Sequence, residues 1–182
     1  MRIFKAILTV LTAAFCLNAQ DLSAEQKAKV DAKVKIYSAW GIDAKVVAAV
    51  KAFNTNPPAL AKEMTQEKWK ALTLISPEIK TFTKHEVAVY LKADVKAKKD
   101  ESVSEMFISG ANGTKVAFFA KTSGWSHLGK PKHDVPMTGK TWIGKVELDE
   151  STGLQQVQFS VPVLDEGKAI GSIVVGLSLS KM

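Results

Sequence analysis

The spacing of apolar residues changes near residue 100, and this change constrains the fold more than any other feature of the sequence. Upstream, apolar residues recur every three or four positions, which is typical of amphipathic helices. Downstream they alternate, most strictly over 155–164, where Val157, Phe159, Val161 and Val163 fall on one side. Ten of the 11 glycines also lie at or beyond Gly110. The sequence therefore predicts an α+β fold, with helices first and a sheet second.

Capping residues divide the first half into helices. Ser and Asp are good N-caps, Ser-Pro is a start signal, and Thr83-x-x-Glu86 is a capping box. The predicted helices run from Ser23 to Trp40, from Asp43 to Phe53, from Glu67 to Leu74, from Ser76 onward, and from Thr83 to Val95. His85, at the start of the last helix, is interpreted as a surface or capping residue.

Alternation and turn residues divide the second half into five strands. The predicted strands cover residues 103–108, 115–120, 142–148, 155–164 and 169–179. Asn112-Gly113 predicts a tight hairpin turn, because both residues tolerate a positive φ. Further turns are predicted at Glu150 to Gly153 and at Asp165 to Gly167. An antiparallel sheet of this size needs a cover for its apolar face, and the helices supply it.

The first 19 residues have the pattern of a signal peptide. Arg2 and Lys5 precede an apolar stretch from Ile7 to Phe15, and Ala19 ends a plausible cleavage site. This pattern predicts a periplasmic or secreted protein after cleavage at Ala19. A retained N-terminal membrane anchor is the alternative. Cleavage also removes the single cysteine and the single arginine and reduces the formal charge from +7 to +5. Lysines interleaved with acids, without arginine, argue against nucleic-acid binding.

Three stretches of sequence resemble a known family. They are Phe107 to Val116, Lys121 to His127, and the Pro-Val-Leu-Asp-Glu-Gly-Lys-Ala-Ile-Gly run from Pro162. Together with the element order, they resemble the extracytoplasmic PAS-like, or Cache (PDC-type), sensor domains. The resemblance covers residues 80–182 well and the leading helices by topology only. It implies a single-Cache sheet with strand order 2-1-5-4-3, a long N-terminal helix and further helices packed on the sheet.

The resemblance also implies a domain division and a function. Residues 1–19 are the signal peptide, 20–80 a helical lead-in of the same domain, and 81–182 the PAS-like core. We expect a stand-alone exported protein that binds a small molecule as a sensor, with a small carboxylate or an amino-acid-like metabolite as its ligand. The candidate macromolecular partners are a membrane-bound signalling protein and a second copy paired through the N-terminal helix. No cofactor is expected.

The segment from Lys121 to Lys140 is the predicted cover of the ligand pocket. Lysine amines suit a carboxylate, Trp125 and Trp142 suit a lid and a floor, and Asp165 suits an amine. The predicted ligand-binding residues are Lys121, Trp125, His127, His133, Trp142 and Asp165. Lys121 is the nominated anchor, and Lys132 is expected on an exposed tip. A solvated loop, a core Trp142 and a turn-forming Asp165 are the structural alternatives.

The same segment is compatible with two other functions. His127, His133 and Asp134 offer ligands that suit zinc, copper or nickel, so a metal-binding exported protein is an alternative. A non-enzymatic structural or interaction partner of a membrane signalling protein is another. An enzyme is not expected, since the sequence has no Gly-x-Ser-x-Gly elbow and the mature chain has no thiol.

Overall fold

The computed structural model describes residues 21–148 and 155–182. Within them, the α-helices are α1 Ala24–Tyr37, α2 Ala44–Thr55, α3 Ala59–Glu63, α4 Gln66–Ala71, α5 Pro77–Thr83, α6 Glu86–Ala97 and α7 Pro131–Met137. The strands are β1 Val103–Gly110, β2 Lys115–Phe118, β3 Trp142–Leu148, β4 Gln155–Asp165 and β5 Lys168–Ser178. Short 3₁₀ turns follow α1 and β5.

The five strands form one antiparallel sheet with the order β2-β1-β5-β4-β3. This confirms the predicted strand order and the α+β fold with a PAS-like sheet. Gly113 has a φ of 77°, as the predicted hairpin turn between β1 and β2 requires. The predicted signal peptide and the predicted turn at Glu150 to Gly153 lie outside the described residues.

One face of the sheet, called here the helix face, carries the hydrophobic core. Side chains such as Ile108, Phe159, Val161 and Ile173 are fully or almost fully buried there, in one cluster with residues of the helices. Each such side chain contributes roughly 1.5–3 kcal/mol by leaving water. The periodicity of β4 predicted this face.

Helix α2 lies directly on the sheet because two paired glycines let it approach. Gly110 and Gly171 face each other across β1 and β5. A Cβ at Gly110 would come within 2.9 Å of the Phe53 ring, and one at Gly171 within 2.9 Å of a Val50 methyl group. The Asp43 side chain caps α2, as predicted.

Two helix predictions differ from the structure. Helix α6 is capped by His85, whose Nδ1 accepts the Val87 N–H at 3.3 Å, whereas Thr83 ends α5. The capping-box prediction is therefore wrong, while the interpretation of His85 as a cap is confirmed. The segment predicted as a loop from Lys121 to Lys140 contains α7, which begins at Pro131. In the described parts of the chain, no helix is long and apolar enough to cross a bilayer.

Candidate functional site

The second face of the sheet is polar and yet buried. Register pairs Ser109 with Lys115, Ser109 with Ser172, and Ser160 with Val174, so these side chains share the face opposite the helix face. We call this surface the polar face; its buried polar residues are Ser109, Lys115, Gln158, Ser160 and Ser172. Polar side chains are rarely collected in this way without a use, because burying them costs free energy.

Residues 119–141, called here the covering segment, shield the polar face from water. The Trp69 indole donates to the Thr122 carbonyl at 2.7 Å, and the Trp125 N–H donates to the Gln66 side chain at 2.9 Å. The His127 N–H donates to the Gly113 carbonyl at 2.9 Å. Helix α7 then packs on β3, β4 and β5. The cover is thus tied to α4 at one end and rests on three strands at the other.

Lys115 and His127 form the centre of the polar face. Lys115 is 0% exposed and His127 is 8% exposed, and the lysine Nζ is hydrogen-bonded to the imidazole Nδ1. Phe107 lies beside both: its ring stacks on His127 with centroids 4.7 Å apart, and the lysine Nζ lies 3.9 Å from its centroid. An aromatic ring stabilises a cation that has left water.

Two serine hydroxyls on the polar face have hydrogen-bonding capacity to spare: Ser109 is paired with Lys115, and Ser160 lies three strands from Lys115, on β4. The Oγ atoms of Ser109 and Ser160 are buried and have no hydrogen-bond partner among the described residues. A buried hydroxyl without a partner costs about 1–3 kcal/mol. Both lie on the face that the covering segment shields. Both hydroxyls are therefore candidate contacts for a polar ligand.

His133, on α7, is held in one tautomer. Its Nε2 lies 3.4 Å from the Ala111 carbonyl, which can only accept, so Nε2 carries the proton. Its Nδ1 then accepts from the Ser172 hydroxyl at 2.8 Å. The residue is 1% exposed. This pair of bonds fixes α7 against β5 and the β1–β2 turn.

Lys132 reaches the same face from α7. Its Nζ donates to the Gln158 side-chain oxygen, and the Gln158 amide donates to Glu105 Oε2 at 2.6 Å. Lys132 is half-buried, so the expectation of an exposed tip is wrong. The local reason is that Pro131 starts a helix instead of turning a loop, and the helix places Lys132 over β4.

Burial dominates the electrostatics of the polar face. It lowers the pKa of Lys115 well below its ordinary value, with Glu105 opposing and Lys132 adding to the effect. Burial, and then the charges of Lys115 and Lys132, lower the pKa of His127 to about 2. Burial also lowers the pKa of Lys132 and that of His133. Burial therefore disfavours the charged form of each of these nitrogen groups.

The six predicted site residues are not all brought together. His127 and His133 lie at the polar face, and Trp142 borders it on β3, opposite Ser160. The Trp142 indole lies over Gly144, where a Cβ would come within 2.7 Å of the ring. The indole is half-buried and has room because its neighbour is glycine.

The other three predicted residues lie elsewhere. Trp125 is 4% exposed and packs against Trp69 and Phe82, with centroids 5.2 and 5.4 Å apart. The Lys121 Nζ lies 5.2 Å from the centroid of the same Trp69 ring. Asp165 pairs with Lys51 at 2.8 Å on the protein surface. The binding roles of these three residues stay predictions, and none of the three belongs to the polar face.

The metal alternative finds no ligand cluster in the described part of the chain. No group of three or more His, Cys, Asp or Glu side chains is gathered there for a metal. His127 and His133 are bonded to Lys115 and Ser172, while the exposed Asp134 accepts the Gly129 N–H at 3.0 Å. These bonds engage the Nδ1 atom of each imidazole and one carboxylate oxygen of Asp134.

Sequence reasoning missed six residues of this face: Ser109, Lys115, Lys132, Gln158, Ser160 and Ser172. The alternation of β4 places Gln158 and Ser160 opposite the core, and polar residues there are typical of a solvated face. Only the covering segment, which crosses from a distant part of the chain, buries them. One sequence signal could have indicated the covered face. Ser109, Ser160 and Ser172 are serines, whereas a solvated face usually carries lysine or glutamate, and short hydroxyl side chains suit a covered face.

Comparison with known proteins gives structural matches only. No family model matches the sequence, and no curated protein matches it. The sensory domain of the Campylobacter jejuni chemoreceptor Tlp3 (CcmL) with isoleucine bound is 14% identical with a TM-score of 0.42, covering 86% of this chain and 64% of that one. The sensor domain of the V. cholerae histidine kinase DctB is 14% identical with a TM-score of 0.43, covering 86% and 58%.

A third match belongs to the same class. The ligand-binding domain of the Pseudomonas aeruginosa PAO1 amino acid chemoreceptor PctC, in complex with GABA, is 13% identical with a TM-score of 0.40, covering 82% of this chain and 61% of that one. The chain thus spans about three fifths of the length of these sensor domains. All three are sensor or ligand-binding domains.

Proposed function

We propose that this protein is a sensor-type binding protein that holds a small carboxylate on the polar face of its sheet. The observation that carries the proposal is the fully buried Lys115, bonded to His127 and paired across the strands with Ser109, whose hydroxyl has no partner. Amine and imidazole N–H groups bind carboxylate oxygens, and hydroxyls can donate to the same oxygens. The covering segment shields these groups from water, which strengthens such hydrogen bonds.

The charges of the face favour an anion. Lys115 and Lys132 both point to it, joined by two histidines, and Glu105 is the acidic side chain described there. An amino-acid-like ligand would bring an ammonium group into a region already rich in nitrogen donors. A plain carboxylate therefore suits the face better than an amino acid, although both belong to the class that we propose.

The proposal includes export and a receiving partner. We propose that the protein acts outside the cytoplasmic membrane, after cleavage near Ala19, and passes its ligand state to a membrane-bound signalling protein. N-terminal sequencing of the exported protein should begin at Gln20. An intact Met1 in the membrane fraction would instead identify an anchor.

A second copy paired through α1 is also proposed as a partner. Ile36, on α1, is 44% exposed. Ile36→Lys should convert a dimer to a monomer in sedimentation velocity measurements. A monomeric protein without the substitution would remove the homodimer from the proposal and leave the ligand site untouched.

A thermal-shift screen tests the ligand site. Formate, acetate, pyruvate, succinate and single amino acids are added to the purified protein, and divalent metals and a chelator serve as separate arms. A ligand at a hundred times its Kd should stabilise the fold by about 2.7 kcal/mol. Stabilisation by metals alone would support the metal alternative, and no response to any arm would support a purely structural role.

Two lysine substitutions then locate the anchor. Lys115→Met should cost roughly 2–5 kcal/mol of carboxylate binding, because it removes one partner of a buried charge contact. Lys121→Met should cost less than about 1 kcal/mol, as expected for an amine outside the polar face. Lys92→Met is the matched control, since Lys92 is an exposed lysine set 5.6 Å over the Phe119 ring. The reverse ranking would move the site to Lys121.

A further inference from the structure

We infer that the polar face binds its carboxylate together with one proton, which the Lys115–His127 pair takes up as the anion enters. This inference rests on the proposed function and adds the protonation state of the complex. It means that the ligand enters as the equivalent of a neutral carboxylic acid, in a region where an uncompensated charge would be costly.

The hydrogen bond between the two side chains limits the number of protons that the pair can carry. The Lys115 Nζ is bonded to the His127 Nδ1. A bond between two nitrogens needs a lone pair on one of them, and neither an ammonium group nor an imidazolium ring has one. In this arrangement the pair therefore lacks at least one of the two protons that it can carry.

The groups around the Lys115–His127 pair oppose the binding of a second proton. The charged and titratable groups that act on it are Glu105 from β1, Lys132 and His133 from α7, and Lys130 just before α7. Three of these four are nitrogen groups, and Glu105 is already engaged by the Gln158 amide at 2.6 Å. Burial and these neighbours lower the pKa of both Lys115 and His127. The surroundings thus oppose a second proton.

A bound carboxylate favours the uptake of that second proton. A carboxylate beside Lys115 and His127 can accept an N–H from each, so the two nitrogens no longer need to share one hydrogen. Its negative charge also offsets the positive charge that a second proton brings. The hydroxyl of Ser109, the residue paired with Lys115, can donate to the carboxylate, which is the role that its missing partner leaves open.

The consequence is a pH dependence of a definite sign. Binding that takes up one proton strengthens as the pH falls, by roughly tenfold per pH unit while the carboxylate stays ionised. Above about pH 6 a simple monocarboxylate is almost fully ionised. Between about pH 6 and 9, affinity should therefore decrease steadily as the pH rises.

Isothermal titration calorimetry tests the inference on the purified protein. Acetate, pyruvate and succinate are each titrated at pH 7 in HEPES and in Tris, whose ionisation enthalpies differ. The heat should differ between the buffers by the amount that corresponds to about one proton taken up per carboxylate bound. Lys115→Met and His127→Phe should each abolish this difference, while Lys92→Met should preserve it.

The outcomes separate the inference from the proposed function. Binding with equal heats in both buffers overturns the inference and leaves the proposed function intact. No binding of any of the three acids overturns both. Proton uptake that persists in Lys115→Met and His127→Phe also overturns the inference, because another group must then take the proton. Should either variant fail to fold, the pH dependence of affinity in the unsubstituted protein decides: a flat profile contradicts the inference.

Discussion

The helix face and the polar face can be compared residue by residue, because β4 and β5 contribute to both. Phe159 and Ser160 are neighbours on β4, and Ile173 and Ser172 are neighbours on β5. All four are 0% or 1% exposed. The faces therefore do not differ in burial. They differ in what burial achieves: one side gains hydrophobic stabilisation, and the other holds polar groups whose bonding is incomplete.

This difference suggests a division of labour within one sheet. The helix face holds the fold together, so its substitutions should reduce stability. The polar face costs stability, so its substitutions should reduce binding and leave the fold intact or more stable. Natural proteins accept such a cost where a site must be ready for a ligand. Four predictions test this comparison, beginning with the largest expected effect.

Phe159→Ala should reduce the free energy of unfolding by about 3–5 kcal/mol. The side chain is 0% exposed in the core of the helix face, and its removal leaves a cavity among rigid neighbours. Urea denaturation followed by circular dichroism measures the change. A loss below about 1 kcal/mol would mean that the helix face does not carry the stability assigned to it.

Lys115→Met should raise the free energy of unfolding by about 2 kcal/mol, since an apolar side chain of similar length replaces a buried amine. The same denaturation experiment measures it, with Lys92→Met as the exposed control. A destabilised Lys115→Met protein would indicate that the bond to His127 contributes more than the burial of the amine costs.

His85→Ala should destabilise the protein by about 1 kcal/mol, the usual contribution of an N-cap. The cap uses an unprotonated Nδ1, and burial lowers the pKa of His85 below its ordinary value of 6.5. Its contribution is therefore present above pH 6.5 and is lost as the pH falls through the lower folded pKa. Denaturation at pH 8 should show the full difference between variant and parent, and denaturation near pH 4 a smaller one. An equal difference at both pH values would contradict the assignment of the cap.

Ser160→Ala should change stability by less than about 1 kcal/mol, and in the stabilising direction, because the lost hydroxyl has no partner. The contrast with its neighbour Phe159 is the sharpest form of the comparison. A loss of stability similar to that of Phe159→Ala would show that Ser160 makes a structural hydrogen bond.

The sequence predicted the sheet well because alternation records burial on one side directly. β3 was predicted at its observed bounds, and β4 and β5 within one residue at each end. Helices α3 and α7 were missed. At five and seven residues, they are too short for a helical period to show, and proline at the start of α7 was interpreted as part of a loop.

The candidate site was predicted less completely than the fold. His127 and His133 were chosen because imidazoles in a loop are chemically distinctive, and the structure places both on the polar face. Lys115 was not chosen, because a lysine at a strand start is usually exposed. Its burial depends on residues 119–141 folding back over the strand. No local pattern encodes such a long-range cover. Lys121 was nominated because it directly follows the return strand of the predicted hairpin.

The position of β5 in the sheet has a consequence for how the chain folds. β5 is the last strand in the sequence, and it lies at the centre, between β1 and β4. Until it is synthesised, β1–β2 and β3–β4 are two separate hairpins, and isolated hairpins are marginal in water. The sheet can therefore close only after residue 178 is available, through pairings that span up to about seventy residues of chain. A chain with this strand order cannot complete its sheet before β5 has been synthesised.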